Sequence, residues 1–455
     1  MIDVTRIRSF LLAAALAPLA ACSSIPNPID AIPGFGGDDQ DELNGTAPDD
    51  GRISIMSFEQ GLQLDGDVES VQLPTAYANL VWSQPGGYPT HALQHTQASG
   101  PLDVAWRQSF GQGSDNDRRL IGRPVIADER IFAIDANGTV TAHSASDGSR
   151  LWSHRLEGPT RRDRMSFGGA VAYENGRIFA HAGYNYFVAL DADTGSEIWR
   201  TETLVPFHGA PTVAEGRVFV TSDDNELIAI EADTGTVMWT YQGIVETARL
   251  LTAPSPAVLG DLVVAPFASG ELIALRVQNG NPVWSDSLSG STGLTALSDI
   301  NDVAGSPVIM NDTVYAMSHS GLLAAISLRT GERLWTQPAG GAHAPWVAGD
   351  YLFITTNEAE IACLNRHTGD VLWITELDLF EDPNKRRRRI AWTGPLLAGG
   401  RVFVAASNGE ARVLNAYDGE VIREMDLRDD VFIGPVIANE TVYVLTDEAR
   451  LIALR

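Results

Sequence analysis

A ten-residue phrase, LDADTGSEIW at 190–199, returns as IEADTGTVMW at 230–239 and keeps returning, with drift, to the end of the chain. Such self-similarity constrains a fold more tightly than composition, because every copy must build the same unit and bury its apolar faces against its neighbours. From a Gly/Pro entry onward, the copies 122–152, 168–199, 209–239, 254–284, 305–335, 344–373 and 394–423 align. Each reads as a short apolar strand, a polar turn, two alternating strands, an Asp-x-x-(Thr/Asp)-Gly turn and a fourth strand. Seven steps carry Trp106 to Arg423 across 317 residues, a period of about 45, which is the length of a four-stranded propeller blade.

The recurring phrase is a turn followed by an anchor. The Asp or Thr side chain bonds back to the local backbone, and Gly195, Gly235, Gly331 or Gly369 supplies a positive φ. Trp follows four residues after the turn glycine, and seven of the ten Trp hold this one position: Trp106, Trp152, Trp199, Trp239, Trp284, Trp335 and Trp373. Spread evenly along the chain, they suit blade-to-blade docking better than an aromatic cage around one cofactor. Arg423 stands where an eighth is expected. The last copy, 434–455, ends after three strands, and LDVAWRQ at 102–108 is an orphan fourth strand with its own Trp. Pairing the two ends removes an open edge. The expected fold is all-β: an eight-bladed β-propeller of four-stranded antiparallel blades, the last closed by an N-terminal strand.

Upstream of the repeats the chain reads differently. Arg6 and Arg8 precede SFLLAAALAPLA, an apolar run too short for a mature membrane span. Leu19-Ala20-Ala21-Cys22 resembles a bacterial lipoprotein box, which makes 1–21 a signal peptide and Cys22 a lipidated mature N-terminus. Ser23 stands where an inner-membrane retention signal has Asp, so the expected destination is the outer membrane. Residues 22–75, poor in aromatics and rich in Pro, Gly and acidic groups, read as a flexible tether, and 76–455 as the propeller with its lead-in. Cys363, the other of two cysteines, reads as a buried apolar thiol, and two cysteines rule out a cysteine-built zinc site.

A net charge of −26 repels phosphate backbones and argues against nucleic acid as a partner. Turns after the first and third strands of each copy are short, whereas connections from one copy to the next are long in places, notably 240–253, 285–304 and 376–392. Loops beyond the structural minimum tend to carry binding. The third contains a basic run, Lys385, Arg386, Arg387, Arg388 and Arg389, read as a solvated face or a secondary contact with an acidic partner. His208 and His343 fall at matching places before inner strands, which favours structure over metal binding. The sequence proposes no catalytic triad, zinc motif or phosphate loop, hence no catalytic or metal-binding residues.

ALDADTGSEIW at 189–199 resembles the tryptophan-docking repeat of pyrroloquinoline-quinone-type propellers. With the lipobox, the acidic spacer and ALSDINDVAGSP at 296–307, the chain is similar to the BamB family, lipoproteins of the outer-membrane β-barrel assembly machinery. That resemblance implies a non-enzymatic scaffold without cofactor, lipid-anchored at the periplasmic face. It would bind the POTRA domains of BamA within the Bam complex and assist nascent outer-membrane proteins. It points to Arg249 and Asp299 at the BamA contact, with Asp302 beside them and Leu250 and Leu251 following the Arg instead of preceding it. Two other readings share the repeat: a quinoprotein dehydrogenase, which needs a quinone, Ca²⁺ and commonly an adjacent Cys pair, and a ligand-sensing propeller.

Overall fold

Alternating apolar runs separated by tight turns have one stable outcome here, a ring of small antiparallel sheets each covering its neighbour. The computed structural model describes residues 61–64, 70–158, 166–246, 249–289 and 300–455. Among the described residues there are eight four-stranded sheets, seven of them running in chain order from innermost strand to outermost. Blade 1 comprises Val125–Ala127, Arg130–Ile134, Thr139–Ser144 and Arg150–Arg155; blades 2 to 7 begin at Ala170, Thr212, Ala257, Val308, Trp346 and Trp392. Blade 8 takes Val436–Ala438, Thr441–Leu445 and Arg450–Leu454 from the C-terminus and Val104–Ser109 from the N-terminal side. Trp106 lies opposite Ala453 and Gln108 opposite Leu451, so the ring is sealed by the expected pairing of the two ends. The two middle strands of each blade are almost wholly buried. Apolar clusters bridge neighbours, as where Phe132 and Val140 of blade 1 meet Val171 and Val188 of blade 2.

The turn phrase performs the task its composition suggests. Asp191 Oδ1 accepts the backbone N–H groups of Asp193 and Thr194, at 3.1 and 2.8 Å. Gly195 adopts φ of 72°, and a Cβ there would sit 2.6 Å from the Trp152 indole of the preceding blade. The same indole donates its N–H to Ala192 O at 3.0 Å. Trp199, Trp239, Trp284, Trp335 and Trp373 repeat the contact onto Ala232, Val277, Leu328, Arg366 and Ala416. Each docking Trp thus rests on the next blade's turn glycine and donates to that turn's carbonyl.

The seam departs from this rule for a physical reason. Blade 8 joins two chain ends, so it has no turn between its third and fourth strands and offers blade 7 no carbonyl for an indole. Arg423 fills the place and bonds Pro101 O and, at 2.6 Å, Asp103 Oδ1 on the closing segment. At the next interface Trp106 still packs on Gly148, but its Nε1–H is buried without a partner. The matching acceptor, Ala145 O, is taken by Arg455 Nη2 at 3.2 Å and Tyr443 OH at 3.4 Å.

The segment before the closing strand is a strap that fills the centre of the ring. In a propeller the innermost strand of every blade turns an unpaired edge toward the channel. Residues 79–96 meet those edges in a full circuit, in blade order. Asn79 Nδ2 donates to Ile437 O of blade 8 at 2.7 Å. Trp82 exchanges backbone bonds with Ile126 of blade 1, and Ser83 O accepts from Tyr173 of blade 2. The Gln84 amide bonds both N–H and C=O of Val213 in blade 3, at 3.0 and 2.6 Å. Pro89 and Thr90 carbonyls accept from Val258 and Ile309 of blades 4 and 5. Gln94 O accepts from the Trp346 indole N–H of blade 6, and Thr96 Oγ1 donates to Leu397 O of blade 7. These groups lie beside the turns between first and second strands, so the strap closes the channel at that face.

Indole donors at regular spokes should therefore matter more than the one at the seam. Trp284→Phe leaves Leu328 O without its donor, whereas Trp106→Phe deletes an N–H that has no acceptor. The expected result is a loss about 1–2 kcal/mol larger for Trp284→Phe, read from paired urea-unfolding curves; equal losses would contradict the seam geometry.

Candidate functional site

The face opposite the strap carries the connections between blades. Its exposed apolar groups gather in consecutive loops: Leu204 between blades 2 and 3, then Ile244, Val245 and Leu251 between blades 3 and 4, with Phe432 before blade 8. Large exposed apolar side chains in adjoining loops mark a contact surface more than a folding need. Of Arg249, Leu250, Leu251 and Asp302, Leu251 alone has a largely open side chain, 55% exposed.

Arg249 is held from within. Its side chain is 19% exposed and lies 3.3 Å from Asp223 Oδ1, the turn carboxylate of blade 3. It also donates to the Asp223 carbonyl and, at 3.1 Å, to His208 Nδ1. Burial, helped by the neighbouring Arg249 charge, pushes His208 down to about 3, so the ring is neutral and can accept. Burial raises Asp223 against the pull of Arg249. Asp302 is 3% exposed and accepts the Leu250 N–H at 2.9 Å. Its carbonyl accepts from His319 at 2.9 Å, which ties the 249–251 loop to blade 5. Burial raises the Asp302 carboxyl, with Leu250 N–H and Arg249 opposing. Thus Arg249 and Asp302 shape the loop that presents Leu251, and Leu250 is half-buried. Asp299 and Cys22 lie outside the described residues.

The basic run is a hairpin, Phe380–Asp382 against Arg387–Arg389. Lys385, Arg388 and Arg389 pair with Asp382, Glu381 and Glu358 at 3.3, 2.9 and 3.2 Å, and Arg386 covers the Phe380 ring. Most of its charge is matched in place, and exposed pairs of this kind are each worth about 1 kcal/mol or less. The two histidines are out of step by one residue: counted back from the turn closed by Ala214–Arg217 and from that closed by Ala348–Tyr351, His208 aligns with Ala342 and His343 with Gly209. His208 meets Arg249, and His343 lines the channel mouth. Sequence reasoning missed Leu204, Ile244 and Val245, although ETLVPF and QGIVET carry the signal: apolar residues inside otherwise polar connections.

A family model described as "Outer membrane protein assembly factor BamB" matches residues 98–162, 136–375 and 382–455. The chain is 31% identical over 359 residues to the protein of that name from Legionella pneumophila (strain Paris), covering 79% of this chain and 89% of the relative. It is 30% identical over 355 residues to that of Escherichia coli (strain K12), covering 77% and 88%. Among solved structures, BamB from Moraxella catarrhalis superposes with a TM-score of 0.66 at 18% identity, covering 78% of this chain and 99% of that one. The quinohemoprotein alcohol dehydrogenase of Comamonas testosteroni gives 0.63 at 13% identity, covering 82% and 80%; at these identities the likeness is one of fold. A quinone of the dehydrogenase kind does not fit the channel, because the strap leaves a cavity of about 70 Å³ at its mouth, against the roughly 300 Å³ or more of a small-molecule pocket.

The depressed His208 has a pH consequence. Its folded-state value of about 3 lies below the ordinary 6.5, so between those limits the unfolded chain holds the extra proton and acid removes stability. His208→Asn, which keeps an acceptor for Arg249, should flatten the stability loss between pH 6 and 4 by up to about 1.4 kcal/mol per pH unit. Denaturant titrations across that window measure it, and an unchanged slope would refute a neutral buried imidazole.

Proposed function

The chain belongs to the BamB family of outer membrane protein assembly factors, and we propose that it works as a lipid-anchored scaffold at the periplasmic face of the outer membrane. Cys22 is the lipid-bearing residue of this reading, and 22–75 the tether that lets the propeller reach its partners. The loop face docks on the periplasmic POTRA domains of BamA, which places the propeller beside nascent outer-membrane proteins. One observation carries this assignment of the face: four exposed apolar side chains, Leu204, Ile244, Val245 and Leu251, sit in two consecutive loops that Arg249 and Asp302 brace from behind.

The chemistry suits a specific contact. Apolar side chains presented on a braced loop supply buried area at little ordering cost, while acidic groups around them set orientation and encounter rate. Arg249 contributes by fixing the loop, and any direct bond to a partner would compete with Asp223.

Affinity capture of the lipidated protein from outer membranes tests the reading. Ile244→Asp combined with Leu251→Asp should reduce BamA recovery at least tenfold, because two charges then face an apolar partner surface. Leu80→Asp, an equally exposed change on the strap, should leave recovery unchanged. Full recovery by the double variant with a native circular dichroism spectrum would show that the docking face lies elsewhere.

A further inference from the structure

The channel mouth holds one residue that neither the fold nor the proposed docking explains. Four positions before the residue that precedes each first turn, the chain enters the ring, and in four blades this position lines the channel mouth. Counting from the paired turn residues Ala127, Glu174, Ala214, Leu259, Met310, Ala348, Ala398 and Ala438 gives Gly, Ala or Ser in seven blades, from Ala170 to Gly434. In blade 1 it gives Arg123. Small residues are expected where eight strands converge, so the arginine is a departure from the rule of the repeat.

Arg123 projects into the blind cavity of about 70 Å³ that opens on the loop face and is floored by Pro85 of the strap. Among the described residues its side chain makes one hydrogen bond, a long one of 3.4 Å to Pro85 O. Gly434 makes room for it: a Cβ there would lie 2.5 Å from the guanidinium. The buried arginines are compensated, as Arg412 is by Asp378, Glu410 and Glu424. Arg123 forms no ion pair with a carboxylate among the described residues, and burial alone lowers it to about 10. Its neighbours His91 and His343, each pushed by burial to about 4, are neutral and add no charge. In the same cavity the Thr252 hydroxyl is buried without a hydrogen-bond partner.

A half-buried cation, an idle hydroxyl and a small cavity describe an anion site. The space suits a carboxylate, whose planar pair of oxygens matches the guanidinium fork. A phosphate dianion would leave a net negative charge buried in a protein that already carries −26. Leu251 and Phe432, both about half exposed, line the mouth and offer apolar contact to whatever the carboxylate is attached to. We infer that the channel mouth binds a carboxylate flanked by an apolar group, with Arg123 and Thr252 holding the oxygens and Leu251 and Phe432 the apolar part.

The test uses the full chain and a fluorescein-labelled Gly-Ser-Gly-Phe peptide with a free or amidated C-terminus, followed by fluorescence anisotropy. Saturable binding of the free acid, at least tenfold weaker for the amide and for Arg123→Gln, is the expected result. Arg123→Gln should fold, because it removes a half-buried charge that no carboxylate among the described residues compensates. Thr252→Val, which deletes a hydroxyl without a partner, should weaken binding several-fold and provides an independent check. N-acetylphenylalanine as competitor separates the sources: displacement of the peptide assigns a small carboxylic acid, and failure to displace it assigns a chain end. Equal binding of acid and amide, unchanged binding by both variants, or no saturation overturns the proposal. Leu251 is shared with the docking face of the proposed function, but Arg123 and Thr252 are not, so their variants test the pocket independently of BamA capture.

Discussion

The structure depends on one interaction repeated around a circle: an outer-strand indole lies on the next blade's turn glycine and donates to that turn's carbonyl. It couples two features far apart in the chain, a side chain and a backbone acceptor about 40 residues on, and so fixes the angle between blades. The bond needs a complete turn in the receiving blade. A ring closed by its own ends must lack that turn once, so the rule has to fail at the seam. Arg423 and the unpartnered Trp106 Nε1 are the two sides of that failure. A guanidinium is the suitable replacement, because it can reach a carbonyl and a carboxylate on an extended segment where an indole has one donor and needs a turn.

A second consequence of circular geometry is eight inward-facing strand edges. The strap satisfies them with one passage of 18 residues, Asn79 to Thr96, and thereby blocks one end of the channel. The two faces then differ in kind. One is covered by the strap and by short turns; the other keeps the channel opening, the longer loops and the exposed apolar side chains. The proposed docking surface and the proposed carboxylate pocket both lie on the face that the strap leaves open.

The ring was legible because its determinants are local and periodic: turn glycine, Trp four residues on, strands of alternating polarity. Even the closure could be read, since Trp106 in 102–108 and three unmatched strands at 434–455 complete each other. The strap could not be read in this way. Asn79, Gln84, Gln94 and Thr96 each contact a different blade through a different group, so no period results, and extended backbone without sheet pairing leaves no apolar alternation. The sequence puts Arg249 in a long connection between blades, but its inward bond depends on Asp223 and His208, which belong to the preceding blade and its entry. A side chain's direction in a loop follows from tertiary partners, which the sequence brings together only after folding. The exposed neighbours Leu204 and Ile244 were legible in principle, because apolar residues in polar connections need no partner to be noticed.

Charge explains why Arg123 stands apart from the rest of the basic residues. On the surface of a strongly acidic protein a cation finds a carboxylate at almost any position, as three members of the basic hairpin do. Inside the channel mouth that compensation is missing among the described residues: the other ring positions are Gly, Ala and Ser, and the nearby histidines are neutral. Had the arginine served only to fill space, an apolar side chain would have done so without the cost of a desolvated charge. Keeping the charge there becomes favourable once an anion arrives to share it, so the energetic anomaly and the idle Thr252 hydroxyl have a common explanation in a bound carboxylate.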